Sequence, residues 1–192
     1  MTLIIETGAG LPSMIRIAPP TELPVSLALA KANMRVDGND MDALITSWIK
    51  GIVAALEHEI GQCLIEQTWR VTADSFPAAL SLPHPVMSVT SVKYFDVDGV
   101  EQTLDSAAYR LVKMRYRSEL MLARGGSWPA NRDVTVEVVC GYGPAPADVP
   151  ENVQLYILAK LVEQFDPATR MERDTVQSAF VDRLLDACRS YA

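Results

Sequence analysis

The sequence predicts an α+β protein in which a small, mostly antiparallel β unit is inserted into a helical domain. Three observations carry this expectation. Apolar residues recur at three- and four-residue spacing from Leu44 to Ile60, short β-type runs fill the stretch from Thr68 to Cys140, and helical spacing returns at Val153. Helices at both ends with strands between them suggest an insertion. The expected boundaries are an N-terminal arm over 1–21, a first helical part over 22–62, a β domain over 63–148 and a second helical part over 149–192.

The arm carries Gly8, Gly10, Pro12, Pro19 and Pro20 among apolar residues, a composition against regular structure. Its Ile4, Ile5, Ile15 and Ile17 are too apolar for a solvated tail, so it lies either on another subunit or on its own domain. Ser26 is a plausible N-cap for a short helix through Leu27, Leu29, Ala30 and Met34. After the turn Asp37-Gly38-Asn39-Asp40, a longer helix places Leu44, Ile45, Trp48, Ile49, Ile52, Val53, Leu56 and Ile60 on one face and closes at Gly61.

Strands are expected at Thr68–Thr72, Val86–Phe95, Val100–Leu104, Tyr109–Val112, Glu119–Ala123 and Val134–Cys140. Asp98-Gly99 signals a tight hairpin, since both residues tolerate positive φ. The alternation of Val134, Val136 and Val138 with Thr135, Glu137 and Val139 predicts a strand with one face in the core. Val153, Ile157, Leu158, Leu161, Val162 and Phe165 share a helical face that ends at Pro167, and a last helix can be drawn through Val176, Phe180, Leu184, Leu185 and Cys188.

With 192 residues, 49% of them hydrophobic, the chain has material for a substantial core, which argues against disorder. Seventeen Lys and Arg stand against 24 Asp and Glu, a net charge of −7, and this disfavours a protein that grips nucleic acid by neutralising phosphates. Cys63, Cys140 and Cys188 lack metal-ligand spacing and point to a reducing, intracellular folding environment. No apolar run reaches the ~18 residues of a membrane helix. Leu3-Ile4-Ile5 is followed at once by Glu6 and preceded by no basic residue, unlike a signal peptide.

Motifs of chemistry fail on inspection. His58-Glu59-Ile60-Gly61-Gln62 lacks the second histidine of a zinc protease, and His58 and His84 read as surface or helix-end residues. Gly125-Gly126-Ser127-Trp128 is followed by Pro129, which suits a loop and not a nucleophile elbow. Gly141-Tyr142-Gly143 is a turn leaving the sheet, because Pro144 and Pro146 oppose the helix start a dinucleotide loop requires. Asp96-Val97-Asp98-Gly99 and Asp37-Gly38-Asn39-Asp40 lack the distal Glu of a calcium loop and read as turns. Lys113, Arg115 and Arg117 would share one side of a strand, forming either a solvated edge or a contact for DNA or an acidic partner. The expectation is therefore no catalytic residue, no metal and no cofactor, with assembly favoured over catalysis.

Six segments, taken in order, resemble the head-tail connector (adaptor) proteins of tailed bacteriophages and prophages, in the subgroup whose helical core carries a β insertion. They are Pro24 to Asp37; Leu64 to Arg70 with Phe76-Pro77; Leu82 to Tyr94; Trp128-Pro129; Gly141-Tyr142-Gly143 with Asp148-Val149-Pro150; and a weaker echo at Val181 to Leu185. The likeness spans about Pro20 to Phe165, and the first twenty residues depart from it.

This resemblance implies a helical connector core built from the N-terminal helix pair and the C-terminal helices. It implies a structural virion protein with no enzymatic activity, assembled in the host cytoplasm. Such a protein forms a ring, a dodecamer, below the portal, and receives a stopper or tail-completion protein. DNA would pass without sequence-specific binding, and no membrane is involved. The C-terminal segment would dock on the portal, with Leu184, Leu185, Arg189 and Tyr191 as candidates, while Ile4, Ile5, Ile15, Ile17 and Trp128 are candidates for the contact between subunits. The acidic balance would suit a channel wall that repels phosphates. The alternative is a neck protein of stopper or terminator type, monomeric until it meets the tail.

Overall fold

A computed structural model describes residues 12–165, 181 and 183–188. The chain is α+β and divides into two compact units: one holds the described residues of Met1–Ala18 with Thr68–Val139, the other those of Pro19–Gln67 with Cys140–Ala192.

The helical unit is built on α1 (Leu27–Met34), α2 (Asp42–Ile60) and α3 (Glu151–Phe165). Ser26 caps α1, its Oγ accepting from Leu29 N at 3.2 Å, which satisfies one of the backbone donors a helix start leaves open. Lys31 reaches out of α1 to the Gly38 carbonyl, to Asn39 Oδ1 at 3.2 Å and to the Asp42 carboxylate at 2.6 Å, and so ties down the turn before α2. Gly61 ends α2 in the left-handed region with φ of 66°. Ile45, Ile49, Val53 and Leu56 of α2 meet Val153, Ile157, Leu158 and Leu161 of α3 in one core. Each fully buried aliphatic side chain there contributes about 1.5–3 kcal/mol. The apolar stripe of α2 is wider than its buried face, because Leu44 stays 47% exposed.

Across that core, the segment after α2 runs beside the one that re-enters from the β unit. Tyr142 N donates to Leu64 O, Glu66 N donates to Gly143 O, and Ile65 and Gly143 form a parallel bridge. Gly141, with φ of 134°, lets the two backbones touch, since a Cβ there would lie 2.6 Å from the Ile65 carbonyl carbon. The Glu57 carboxylate accepts from Leu64 N at 2.7 Å and from Gln67 Nε2 at 2.9 Å, which satisfies polar groups that burial would otherwise leave unpaired. Val181, Leu185 and Cys188 are buried, and Leu185 and Cys188 join the helical core. Val176 and Phe180 lie outside the described residues.

Among the described residues the β unit has eight strands: β1 (Ser13–Ala18), β2 (Gln67–Ala73), β3 (Ala79–Leu82), β4 (Val86–Phe95), β5 (Glu101–Thr103), β6 (Tyr109–Lys113), β7 (Ser118–Leu122) and β8 (Arg132–Cys140). Five form a sheet in the order β1-β2-β8-β4-β5, and three form a second in the order β3-β7-β6. The pairings β1 with β2, β4 with β5, β3 with β7 and β6 with β7 are antiparallel. Both sheets line one core, to which Val134, Val136 and Val138 contribute completely buried side chains. The β4–β5 hairpin turns at Gly99, φ 78°, while Asp96 Oδ1 accepts from Asp98 N and Val100 N. The Gln102 amide and then those backbone donors hold the Asp96 carboxyl below its ordinary pKa.

Three expectations are corrected. The stretch expected to be irregular contains β1, because Met14, Ile15 and Ile17 reach an open edge of β2 before Pro19 stops the run. β3 was not anticipated: Leu80 and Leu82 alternate with Ser81, but four residues after Phe76-Pro77 are too short a run to register. His84 is not at the surface. It is 9% exposed, with Nδ1 3.0 Å from Ser118 Oγ, which also accepts from Val86 N.

Burial lowers the pKa of His84 below its ordinary 6.5, and a backbone hydrogen bond with Arg115 opposes this only in part. The unfolded chain therefore binds this proton more readily than the folded one. The stabilising contribution is complete above about pH 6.5 and is lost as pH falls below it. Urea unfolding at pH 7.5 and pH 5.5 is expected to give a lower midpoint at pH 5.5, and His84→Gln is expected to narrow that difference. An unchanged pH dependence in the variant would remove His84 as its source.

Candidate functional site

β1 is the surface that stands out. It sits at one edge of the five-stranded sheet and all six of its residues are exposed. Ile15 is 59%, Ile17 40% and Met14 39% exposed. The register places Met14 opposite Val71, Ile15 opposite Arg70 and Arg16 opposite Trp69, and is interrupted between Arg16 and Ala18, where Ile17 bulges. An edge strand offers backbone donors and acceptors to a partner, and exposed β-branched residues on it make it adhesive. Bulges and charged residues such as Arg16 are features that limit uncontrolled pairing at an edge. On the neighbouring β2, Arg70 pairs with Glu137 at 2.8 Å and ties β2 to β8.

A second apolar exposure lies at the opposite edge of the same sheet. Phe95 (38%), Val97 (68%) and Val100 (54%) surround the β4–β5 turn, held outward by the Asp96 turn network. Sequence reasoning placed this hairpin but not its role as a surface. The signal was present: a two-residue Asp98-Gly99 turn leaves its flanking side chains at a tip, where no core can cover them.

The other candidates are placed as follows. Trp128 is half-buried and faces its own unit: its ring stacks on Phe76 at 4.3 Å with 9° between planes, and its Nε1 donates to Pro77 O at 3.2 Å. Asn131 Oδ1 accepts from Phe76 N, so the 128–131 loop closes that end of the β core. Lys113 ends β6, and residues 114–117 form the turn to β7, closed by Met114 N donating to Arg117 O. The three basic residues therefore ring a hairpin tip and do not share one side of a strand. Lys113 Nζ donates to Met87 O at 3.2 Å, Arg115 lies over the Tyr116 ring, and Arg117 approaches Glu119 at 3.4 Å.

Leu185 is completely buried and Leu184 half-buried; Asn152 Nδ2 donates to Leu184 O at 2.6 Å and Gln62 Nε2 to Cys188 O at 2.8 Å. These bonds fix the segment on α3 and on the end of α2. Burial pushes the Tyr142 hydroxyl up to about 12, and Cys188 adds to the shift. Ile4, Ile5, Arg189 and Tyr191 lie outside the described residues.

Among the described residues no three His, Cys, Asp or Glu side chains stand together as a metal site, and no helix is long and apolar enough to cross a membrane. An open groove of about 260 Å³ between α2 and α3 is lined by Ile52, Ala55, Leu56, Glu59, Tyr156, Lys160, Glu163 and Gln164. Lys160 is paired with Glu163 at 2.9 Å and lies over the Tyr156 ring, so the charges of this groove are engaged with each other.

No protein-family model and no curated protein matches the sequence. Solved structures do share the fold. A chain from the neck of an empty gene transfer agent (GTA) particle, computed with C6 symmetry, matches with a TM-score of 0.74 and 19% identity, over 94% of this chain and 96% of that one. A chain from the virion of the native particle matches with a TM-score of 0.74 and 19% identity, over 93% and 96%. One from the neck of the native particle, computed with C12 symmetry, matches with a TM-score of 0.64 and 22% identity, over 92% and 96%.

Proposed function

We propose that this protein is a structural component of the neck of a phage-like particle, a head-tail connector that forms a ring below the portal and offers a platform to the tail. The observation that carries this reading is a shared fold, over nearly the whole length of both chains, with a chain from necks of C6 and C12 symmetry. The match covers 94% of this chain and 96% of that one, so it takes in both the helical and the β unit. In this reading the helical unit is the connector core, the β unit is its insertion, and the protein acts by bridging rings and not by catalysis.

Two different adhesive patches suit such a ring. A rotational ring needs a heterologous contact, one patch on each subunit meeting a different patch on the next. The β1 edge and the β4–β5 tip are two unlike apolar exposures on one sheet. Ile15 and Ile17 are assigned to the contact between subunits, with Ile4, Ile5 and Trp128 as the remaining candidates. Leu184, Arg189 and Tyr191 are assigned to the portal, with Leu185 anchoring the segment from within its own core. The net charge of −7 would let DNA pass without being held, and the tip of Lys113, Arg115 and Arg117 is the place for any contact with DNA or an acidic partner.

Native mass spectrometry of the protein alone, and then with its cognate portal ring, tests the reading. A closed ring, or assembly in matched number on the portal, is the expected result. Ile15→Asp with Ile17→Asp is expected to lower the ring-assembled fraction at least tenfold, about the effect of burying a charge at an apolar contact. Its thermal midpoint should hardly move, since both positions are exposed. A chain that stays monomeric with the portal and binds tail components would overturn the connector assignment in favour of the stopper or terminator reading.

A further inference from the structure

Two thiols in the helical unit stand closer than packing alone requires. Cys63 and Cys140, 77 positions apart in sequence, place their Sγ atoms 3.0 Å from each other, and both are buried and free. The paired backbone of the neighbouring residues brings the two segments together. The ladder of Leu64, Ile65 and Glu66 with Tyr142 and Gly143 clamps the two segments side by side, and Gly141 permits a separation that any Cβ would prevent. Cys188 has a different partner, its Sγ lying 3.7 Å from Asn152 Nδ2.

We propose that Cys63 and Cys140 are an intramolecular cross-linking site, closed to a disulfide by a low-molecular-weight disulfide oxidant. The bond would join the points where the chain leaves the helical unit, after Gln67, and re-enters it, at Cys140. Closing it requires the sulfurs to approach by about 1 Å, to a bond of about 2.0 Å.

The step balances as two exchanges. Cys63, 7% exposed and therefore the accessible partner, loses its proton and attacks the oxidant RSSR, forming a mixed disulfide and releasing RS⁻. Cys140, completely buried, then loses its proton and attacks the Cys63 sulfur, forming the internal disulfide and releasing the second RS⁻. Two thiol protons and two electrons have passed to the oxidant, which leaves as two RSH. The neighbouring Cys63 thiol and burial both push the Cys140 thiol well above its ordinary range, which keeps it protonated and makes closure slow. The pair accordingly persists as two thiols where small thiols keep the surroundings reducing.

A cross-link over so long a loop restricts the unfolded chain strongly, and the cross-linked form should melt about 10 °C higher than the reduced one. This chemistry is independent of the assembly reading and survives its failure.

The test treats the full-length native protein with millimolar oxidised glutathione, unfolds it at low pH, labels free thiols with maleimide and maps the peptides. Expected are one labelled thiol of three, at Cys188, a linked Cys63–Cys140 peptide, a mass two hydrogens lower than the reduced chain, and the higher melting temperature. Cys140→Ser should abolish the link and make the melting temperature indifferent to oxidant. Three labelled thiols after prolonged exposure, a glutathione adduct left on Cys63, a link to Cys188, or a linked protein that melts no higher would each overturn the proposal.

Discussion

Gly141→Ala is expected to destabilise the helical unit by about 3–5 kcal/mol, the larger of two effects concentrated on its core. The added Cβ would stand 2.6 Å from Ile65 C and 2.7 Å from both Glu66 N and Ile65 O, all backbone atoms that no rotamer change can move aside. The backbone must also keep φ of 134°, which an L side chain rarely adopts. Backbone strain of about 1–3 kcal/mol and a comparable cost of overpacking both apply. Gly61→Ala is the matched control: its φ is 66°, but nothing lies within 4 Å of the new Cβ, so about 1 kcal/mol is expected. Urea unfolding of both variants decides the matter. Equal losses would mean that residues 64–66 and 141–143 do not meet as closely as described, and the Cys63–Cys140 contact would be in question with them.

Leu185→Ala is expected to cost about 3 kcal/mol in the isolated protein. Leu185 is completely buried in the core shared with Ile157 and Leu161, and its truncation leaves a cavity as well as losing transfer energy. Leu184→Ala, at a half-buried position, should cost about 1 kcal/mol or less. If Leu185 served only a partner, its removal would leave the isolated chain as stable as before, and unfolding curves of the two variants would coincide. The distinction bears on function. Under the proposed connector role, a portal-docking defect in Leu185→Ala would reflect a loosened segment, whereas one in Leu184→Ala would report a lost contact.

Much of the helical unit was legible in the sequence. Ser26, the apolar spacing from Ile45 to Leu56 and Gly61 each act through chemistry local to one helix, a cap, a stripe and a left-handed terminus. The same holds for β4, β8 and the Asp98-Gly99 hairpin, where alternation or turn residues are strong. The site was less legible. Ile15 and Ile17 were marked as adhesive, but their placement on an edge strand depends on β2, more than fifty positions away in sequence. Val97 reads as part of a turn and Val100 as the start of a strand, and their exposure follows only from the folded hairpin. Lys113, Arg115 and Arg117 followed the period of a strand only if the strand continued, and the β6–β7 turn interrupts it. His84 differs from expectation because Ser118, which engages it, is remote in sequence, and the stacking of Trp128 on Phe76 is hidden from any local window for the same reason.

The sequence by itself determined the α+β class and the positions of the main helices and strands, because propensity, capping and period are local properties of the chain. Only the tertiary structure decided which apolar residues remain uncovered, which thiols meet and which glycine is indispensable. Those outcomes depend on pairs such as Ile65 with Gly143, Cys63 with Cys140 and Ile15 with Arg70. Such pairs are set by the free energy of packing the whole chain, and no local window of sequence contains both members.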